Sequence, residues 1–183
     1  VSVNNINELM HKLGHGFDWF YGESDVVKET KLVIDDAKLK NKIVDDNGAF
    51  LSKEPSDPPI LLTKSDGSYL YITTDLGTVY FREQNGKFDK YLYVVDQRQS
   101  NHFIQLFKTV KYFGLSSSEF FHISYGTVNG PDDKPLKTRD GGVYKLEELL
   151  NDVKEELLKK NSNTILAEEL ANSILTYSDL LPS

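Results

Sequence analysis

An α/β fold built from parallel βαβ units is predicted by three features of the central third of the chain. Tyr91-Leu92-Tyr93-Val94-Val95 and Phe120-Phe121-His122-Ile123-Ser124-Tyr125 are short apolar runs rich in aromatic and β-branched residues. The stretch between them, about Ser100 to Tyr112, is long enough for a crossover helix, the connection that a parallel pair needs. A further helix, about Thr74 to Gln84, precedes the first of these strands, so helix and strand alternate. Unbroken apolar strands such as Tyr91 to Val95 suit a sheet covered on both faces.

The remaining elements follow in order. Ile6, Leu9, Met10 and Leu13 recur at helical spacing. Phe17-Asp18-Trp19-Phe20-Tyr21 alternates like a short strand and stops at Gly22-Glu23-Ser24-Asp25. From about Val26 to Val44 the pattern is helical, highly charged and solvent-facing on one side. Asn47-Gly48 and Asp66-Gly67 are hairpin signals that bracket Ala49-Phe50-Leu51 and Ile60-Leu61-Leu62-Thr63, with Ser68-Tyr69-Leu70-Tyr71 following. A small antiparallel patch is therefore expected here, and Pro55, Pro58 and Pro59 make the intervening stretch a loop. Leu146, Leu149, Leu150, Val153, Leu157 and Leu158 form one helical stripe that ends in Lys159-Lys160, cations suited to the negative helix end. A last helix, about Thr164 to Tyr177, begins beneath a Thr cap.

Composition narrows the classes. With 183 residues, 39% hydrophobic, the chain can bury a core as one domain, or as a larger domain with a small appendage. A formal charge of -7 argues against a dedicated nucleic-acid-binding module. The absence of cysteine removes disulfides, thiolate zinc sites and thiol nucleophiles. No apolar run is long enough to span a bilayer, so no membrane partner is expected. Val1-Ser2-Val3-Asn4-Asn5 has neither an initiator Met nor a signal pattern, reads as a cut end, and leaves a cytoplasmic setting as the expectation.

Chemistry concentrates at strand-to-helix junctions, where open parallel sheets bind ligands. Lys134-Pro135-Leu136-Lys137-Thr138-Arg139-Asp140-Gly141-Gly142 places cations and a hydroxyl on a Gly/Pro-bounded loop, a candidate clamp for a polyphosphate. Asp75 reads either as a helix-start carboxylate capped by Thr73 or Thr74, or as the acceptor of a cationic substrate with Tyr71 one turn upstream. Gln99 is either a plain loop residue or a neutral group that orients a polar substrate. His102 and His122 read as hydrogen-bonded core residues, and no histidine pair has metal-ligand spacing with a nearby acid, so no metal site is expected.

Taken together, these words resemble the second half of the catalytic domain of arginyl-tRNA synthetase, a class I aminoacyl-tRNA synthetase, over nearly the whole chain from about Phe17 to Leu181. The matching words are Phe17-Asp18-Trp19 with Gly22-Glu23-Ser24-Asp25, Lys64-Ser65-Asp66-Gly67-Ser68, Tyr71-Ile72-Thr73-Thr74-Asp75-Leu76, Gln99 with His102-Phe103, Gly126-Thr127-Val128-Asn129-Gly130, and Lys137-Thr138-Arg139-Asp140-Gly141-Gly142. The resemblance implies the second half of a Rossmann-like catalytic domain over residues 1–163, with a small antiparallel insertion. It implies that residues 164–183 begin the helical segment leading to an anticodon-binding domain. It implies activation of L-arginine with ATP, magnesium accompanying the ATP, and transfer to tRNA(Arg).

By residue, the resemblance assigns Tyr71, Asp75 and Gln99 to the arginine substrate, and Val128, Lys137, Thr138 and Arg139 to ATP. A carboxylate suits a guanidinium, which is permanently charged and presents a fork of donors. Pro135-Leu136-Lys137-Thr138-Arg139 stands in the place of the K-M-S-K-S loop, with Thr138 where the second lysine normally stands; Lys137 and Arg139 are the expected catalytic cations.

Two departures carry consequences. His11-Lys12-Leu13-Gly14-His15 has one residue too many to be the H-x-G-H signature, an insertion that rotates His15 by about 100° on a helix. It reads as a helix end, so residues 1–183 alone are expected to be inactive for want of the H-x-G-H half. Half of a parallel sheet also implies exposed apolar surface beside the first parallel strand. The competing reading is a stand-alone, non-catalytic paralogue that binds arginine or a nucleotide, or serves as an interaction module. The ligase reading requires Asp75 and the cationic loop to face one crevice at the carboxyl edge of the sheet.

Overall fold

The computed structural model describes residues 2–126 and 146–180. They divide into two compact units, residues 2–20 with 146–180, and residues 21–126. In the first unit the described elements are helical: α1 (Ser2–Lys12), α5 (Leu146–Lys160) and α6 (Thr164–Leu180). The leucine stripe of α5 buries Leu150 in this unit, and α6 buries Ala167 and Ala171. Lys154 Nζ donates to Glu168 at 2.6 Å between the two helices. The side-chain amide of Asn172 donates to the Lys12 carbonyl at 2.8 Å, tying α6 to an otherwise unpaired carbonyl at the end of α1.

Helix α1 ends in the stretch that looked like a signature. Gly14 adopts φ 78°, and the His15 amide donates back to the Met10 carbonyl at 2.9 Å. This is a left-handed helix stop, and it explains the glycine without any ligand. Phe17 to Tyr21, expected as a strand, has no strand pairing; Phe17 and Phe20 instead meet edge to face at 6.5 Å between ring centres. Alternation over five residues found no neighbouring strand to pair with.

The second unit opens with a short 3-10 turn, Glu23–Val26, and continues into α2 (Val27–Leu39). The helix stops earlier than expected, because Ile43 and Val44 belong to a strand. That strand, β1 (Ile43–Asp46), turns at Asn47 (φ 53°) and Gly48 (φ 88°) into β2 (Ala49–Ser52), with Asp46 opposite Ala49. β3 (Leu61–Thr63) pairs antiparallel with β2, completing the expected patch in the order β1-β2-β3.

Helix α3 (Tyr71–Asn85) begins three residues before the expected Thr74. The reason lies in the threonines. Thr73 does not cap the helix; its hydroxyl donates to the Leu62 carbonyl of β3, a buried bond that clamps the first turn of α3 to the small sheet. Thr74 Oγ1 donates to the Tyr71 carbonyl at 2.8 Å, and Leu70 takes the N-cap position without a side-chain cap.

β4 (Lys90–Asp96), α4 (Ser100–Phe113) and β5 (Glu119–Tyr125) then form the predicted unit, with β4 and β5 parallel and in register from Lys90–Glu119 to Asp96–Tyr125. One buried cluster joins α2 (Val33, Ile34), β3 (Leu62), α3 (Leu76, Val79) and α4 (Phe103, Leu106, Val110). The pair is not covered on both faces as its apolar runs suggested. Tyr93 packs onto Phe103 and Phe107, whereas Leu92 and Val94 on the opposite face are 61% and 64% exposed. Phe121 and Ile123 of β5 are exposed with them. The apolar surface expected beside the first parallel strand is therefore a bare face of the strands themselves.

Gly77 allows α3 to lie directly on α2. A β-carbon there would overlap both the side chain and the backbone of Thr30, whose hydroxyl is already committed to the Val26 carbonyl at 2.8 Å. Gly77→Ala is expected to destabilise the protein by about 1–3 kcal/mol through overpacking. Because backbone is part of the overlap, Thr30→Ala should restore only part of the loss. Urea unfolding of the single and double variants checks both; a neutral Gly77→Ala would show that the two helices separate freely.

Candidate functional site

The candidate site is assembled where α3 and α4 start, beyond the carboxyl end of β4. β4 ends at Asp96, whose carboxylate accepts from the Arg98 backbone amide at 2.8 Å and caps the short 3-10 turn Gln97–Gln99. The same carboxylate takes the Arg98 side chain in a fork, from Nε at 3.0 Å and Nη2 at 2.7 Å. That pairing holds the Asp96 carboxyl below its ordinary range. The turn delivers Ser100 as the first residue of α4, with Ser100 Oγ donating to the Gln97 carbonyl at 2.6 Å. Gln99 is thereby fixed in backbone position with its side chain exposed.

Asp75 stands in the second turn of α3, not at the helix start, so the helix-dipole reading of this acid fails. Its carboxylate Oδ2 lies 2.6 Å from His102 Nε2, on the first turn of α4. The Asp75 side chain is 37% and the His102 side chain 26% exposed, a pair half-withdrawn from solvent yet open on one side. A carboxylate oxygen only accepts, so the ring presents Nε2–H to it.

The pair rests on an aromatic floor. Phe103 packs against Tyr93 and Phe107 and stacks on His122 at 4.8 Å between ring centres. His122 in turn approaches the Val95 carbonyl of the adjacent strand at 3.0 Å through Nε2; it is hydrogen-bonded as its sequence context suggested, but only partly buried rather than a core residue. Arg82 Nη1 donates to the Tyr93 hydroxyl at 3.2 Å and lies over the Tyr93 ring. Burial pushes the Tyr93 hydroxyl above its ordinary range, Arg82 opposing and the Asp75 charge adding to the shift.

Tyr71, the first residue of α3, is 75% exposed and lines an open cleft of about 360 Å³ together with Glu23, Lys64, Tyr69, Leu70 and Thr74. Tyr71 and Asp75 share a helix face through their i,i+4 spacing. The chain thus brings Asp75 to the start of α4, three residues beyond Gln99, and presents Tyr71 one turn below. Val128, Lys137, Thr138 and Arg139, assigned to ATP on sequence, lie outside the described residues. Among the described residues, no group of three or more His, Cys, Asp or Glu gathers as a metal site.

Sequence reasoning did not find the partnership of His102 with Asp75. The available signal was spacing: His102 follows Gln99 by three residues at a helix start, which puts both near one edge. It also missed Glu83, whose Oε1 accepts from Tyr91 and from Ser116, both at 2.7 Å, at the opposite end of the strands. Burial is the main reason that the Tyr91 hydroxyl is held above its ordinary range, and Glu83 adds to it.

Comparison with known proteins places this architecture. Arginyl-tRNA synthetase from Plasmodium falciparum superimposes with a TM-score of 0.77 at 24% identity, over 98% of this chain and 32% of that one. A putative arginyl-tRNA synthetase from Campylobacter jejuni superimposes with a TM-score of 0.65 at 12% identity, over 81% and 34%. At those identities the likeness defines the fold, that of a class I synthetase catalytic domain. The family described as "tRNA synthetases class I (R), catalytic domain" matches residues 3–179. The chain is 39% identical to an arginine–tRNA ligase of Agathobacter rectalis over 168 residues (87% of this chain, 28% of the relative). It is 40% identical to that of Pseudomonas fluorescens over 164 residues (84% and 28%), and 34% identical to that of Francisella tularensis subsp. novicida over 189 residues (99% and 32%). The chain therefore belongs to the arginine branch of the class I tRNA synthetases. It spans about a third of the length of the curated relatives it matches.

Phe103, 5% exposed, sets the seat of α4 on the strands beneath the Asp75–His102 pair. Phe103→Ala should cost about 3–5 kcal/mol of stability. Phe103→Leu, which keeps most of the volume, should cost less than about 1.5 kcal/mol. Urea midpoints measure both, and equal losses for the two would show that packing at this position does not hold the helix.

Proposed function

We propose that this chain supplies the arginine pocket and the phosphate loop of an arginine–tRNA ligase. Asp75 receives the guanidinium, Tyr71 and Gln99 complete the arginine site, and Lys137 and Arg139 stabilise the departing pyrophosphate, with Thr138 and Val128 contacting ATP. Magnesium enters with the ATP phosphates as part of the substrate. Residues 1–163 form the second half of the catalytic domain, and residues 164–183 lead toward the helical anticodon-binding domain. The full reaction joins L-arginine, ATP and tRNA(Arg).

The observation that carries this reading is the placement of Asp75. A guanidinium calls for a planar carboxylate with accepting positions free, held at a mouth that a flexible side chain can enter. Asp75 meets that need: Oδ2 is oriented by His102 and the side chain stays over a third exposed. Lysine is disfavoured because an ammonium is a point charge and cannot fill both planar positions of a carboxylate. Fixing arginine at Asp75 leaves its α-carboxylate to be aligned with the ATP α-phosphate by the rest of the catalytic domain, and most of the rate gain comes from that alignment and from charge stabilisation.

Asp75→Asn in the whole protein is the direct test. Removing one partner of a charged pair costs about 2–5 kcal/mol, so KM for arginine should rise by at least about thirtyfold. KM for ATP and the unfolding midpoint should hold, since the carboxylate is half-exposed. Unchanged arginine affinity in this variant would end the pocket assignment. A second expectation concerns residues 1–183 by themselves, which contain no H-x-G-H element. This polypeptide should show no arginine-dependent ATP–pyrophosphate exchange above background. Clear exchange would contradict a division of labour in which the H-x-G-H half is indispensable.

A further inference from the structure

We infer that His102 is a positioning residue for the arginine site, fixing the plane of the Asp75 carboxylate and thereby setting the preference for a two-pronged guanidinium. The inference rests on Asp75 as the acceptor of the guanidinium and adds a residue that the sequence assigned only to the core.

The geometry makes the case in three steps. A carboxylate has about four accepting positions, two on each oxygen. His102 Nε2–H occupies one on Oδ2 at 2.6 Å; among the described residues, no hydrogen bond to Oδ1 accompanies it. One occupied position restrains rotation about the bond to the carboxylate, while enough remain to accept two parallel N–H groups.

The second step concerns the ring. His102 lies edge-on to Phe103 at 5.2 Å between centres, and Phe103 is itself clamped by Tyr93, Phe107 and His122. The donor is therefore held by packed side chains on α4, β4 and β5, while the acceptor belongs to α3. Positioning depends on such support, because a ligand side chain is as well placed as what stands behind it.

The third step is discrimination. A freely rotating carboxylate still takes the guanidinium fork in two bonds, but it gives up its rotational freedom to do so, a loss that an ammonium held by one bond largely avoids. A carboxylate already held in one plane accepts the fork in two bonds without that loss, and the ammonium still in one. Fixing the plane thus raises affinity for arginine and leaves lysine where it was.

The test uses the whole protein with L-arginine as the probe. His102→Leu removes the donor and retains bulk; His102→Gln returns an N–H near the place of Nε2; His102→Asn returns one nearer Nδ1, out of reach of Asp75. His102→Leu and His102→Asn should each raise KM for arginine about tenfold, with KM for ATP within about twofold, while His102→Gln should stay within about threefold of the parent. The arginine-over-lysine ratio in ATP–pyrophosphate exchange should fall in the first two and recover in the third. A merely structural role would move both substrates together and would not separate Gln from Asn. If His102→Leu folds poorly, the Gln–Asn comparison alone decides, and equal behaviour of that pair overturns the inference. Asp75→Asn assayed alongside separates the two claims. If Asp75→Asn loses arginine and the His102 variants do not, the positioning role fails and the pocket stands; if Asp75→Asn keeps arginine, the pocket reading itself has failed.

Discussion

Residues 21–126 are organised by the close approach of α3 to its neighbours, and Gly77 is where the approach is tightest. The α2–α3 contact leaves no room for a β-carbon. One turn earlier, Thr73 bonds the Leu62 carbonyl, so the start of α3 is fixed to β3. Asp75 lies between those two anchors. Its carboxylate does not hang from a loose helix end; it projects from a turn fastened on both sides, and interiors packed at this density do not deform gradually. A polar site built on such an element keeps its geometry without needing many bonds of its own.

The parallel pair supplies the opposite quality. β4 and β5 are in register over seven residue pairs and carry Tyr93, Val95 and His122 on the face that meets α4. The other face presents Leu92, Val94, Phe121 and Ile123 to solvent. The strands end at Asp96 and Tyr125, and the turn after Asp96 hands the chain directly to Gln99 and α4. The α4 start is therefore aimed by the strand, and His102 inherits that aim.

Much of the unit was legible in the sequence because its elements obey local rules. Asn47-Gly48 demanded a tight hairpin, and the run from Tyr91 to Tyr125 could only be strand, crossover and strand. The start of α3 was misjudged because threonines before a helix usually cap it, and here Thr73 was drawn into a tertiary bond that no local pattern announces. Continuous apolar strands suggested burial on both sides, yet hydrophobicity does not reveal how many covering layers lie within the same stretch of chain. Asp75 could be singled out from its family word, but its bond to His102 joins residues 27 apart in sequence and depends on the α3–α4 packing.

The grip of Asp96 on Arg98 bears on the proposed arginine site. Arg98 shares a turn with Gln99 and carries the same guanidinium that the proposed substrate carries. Left at liberty, it would be a tethered guanidinium on the turn that leads into α4, a potential internal competitor for the carboxylate proposed to receive arginine. The forked bond to Asp96, in which both carboxylate oxygens and two guanidinium nitrogens take part, gives that group a home of its own. Under the proposed function, a protein that recognises an amino acid must keep its own copies of that side chain from answering first, and the strand end offers one aspartate for that purpose.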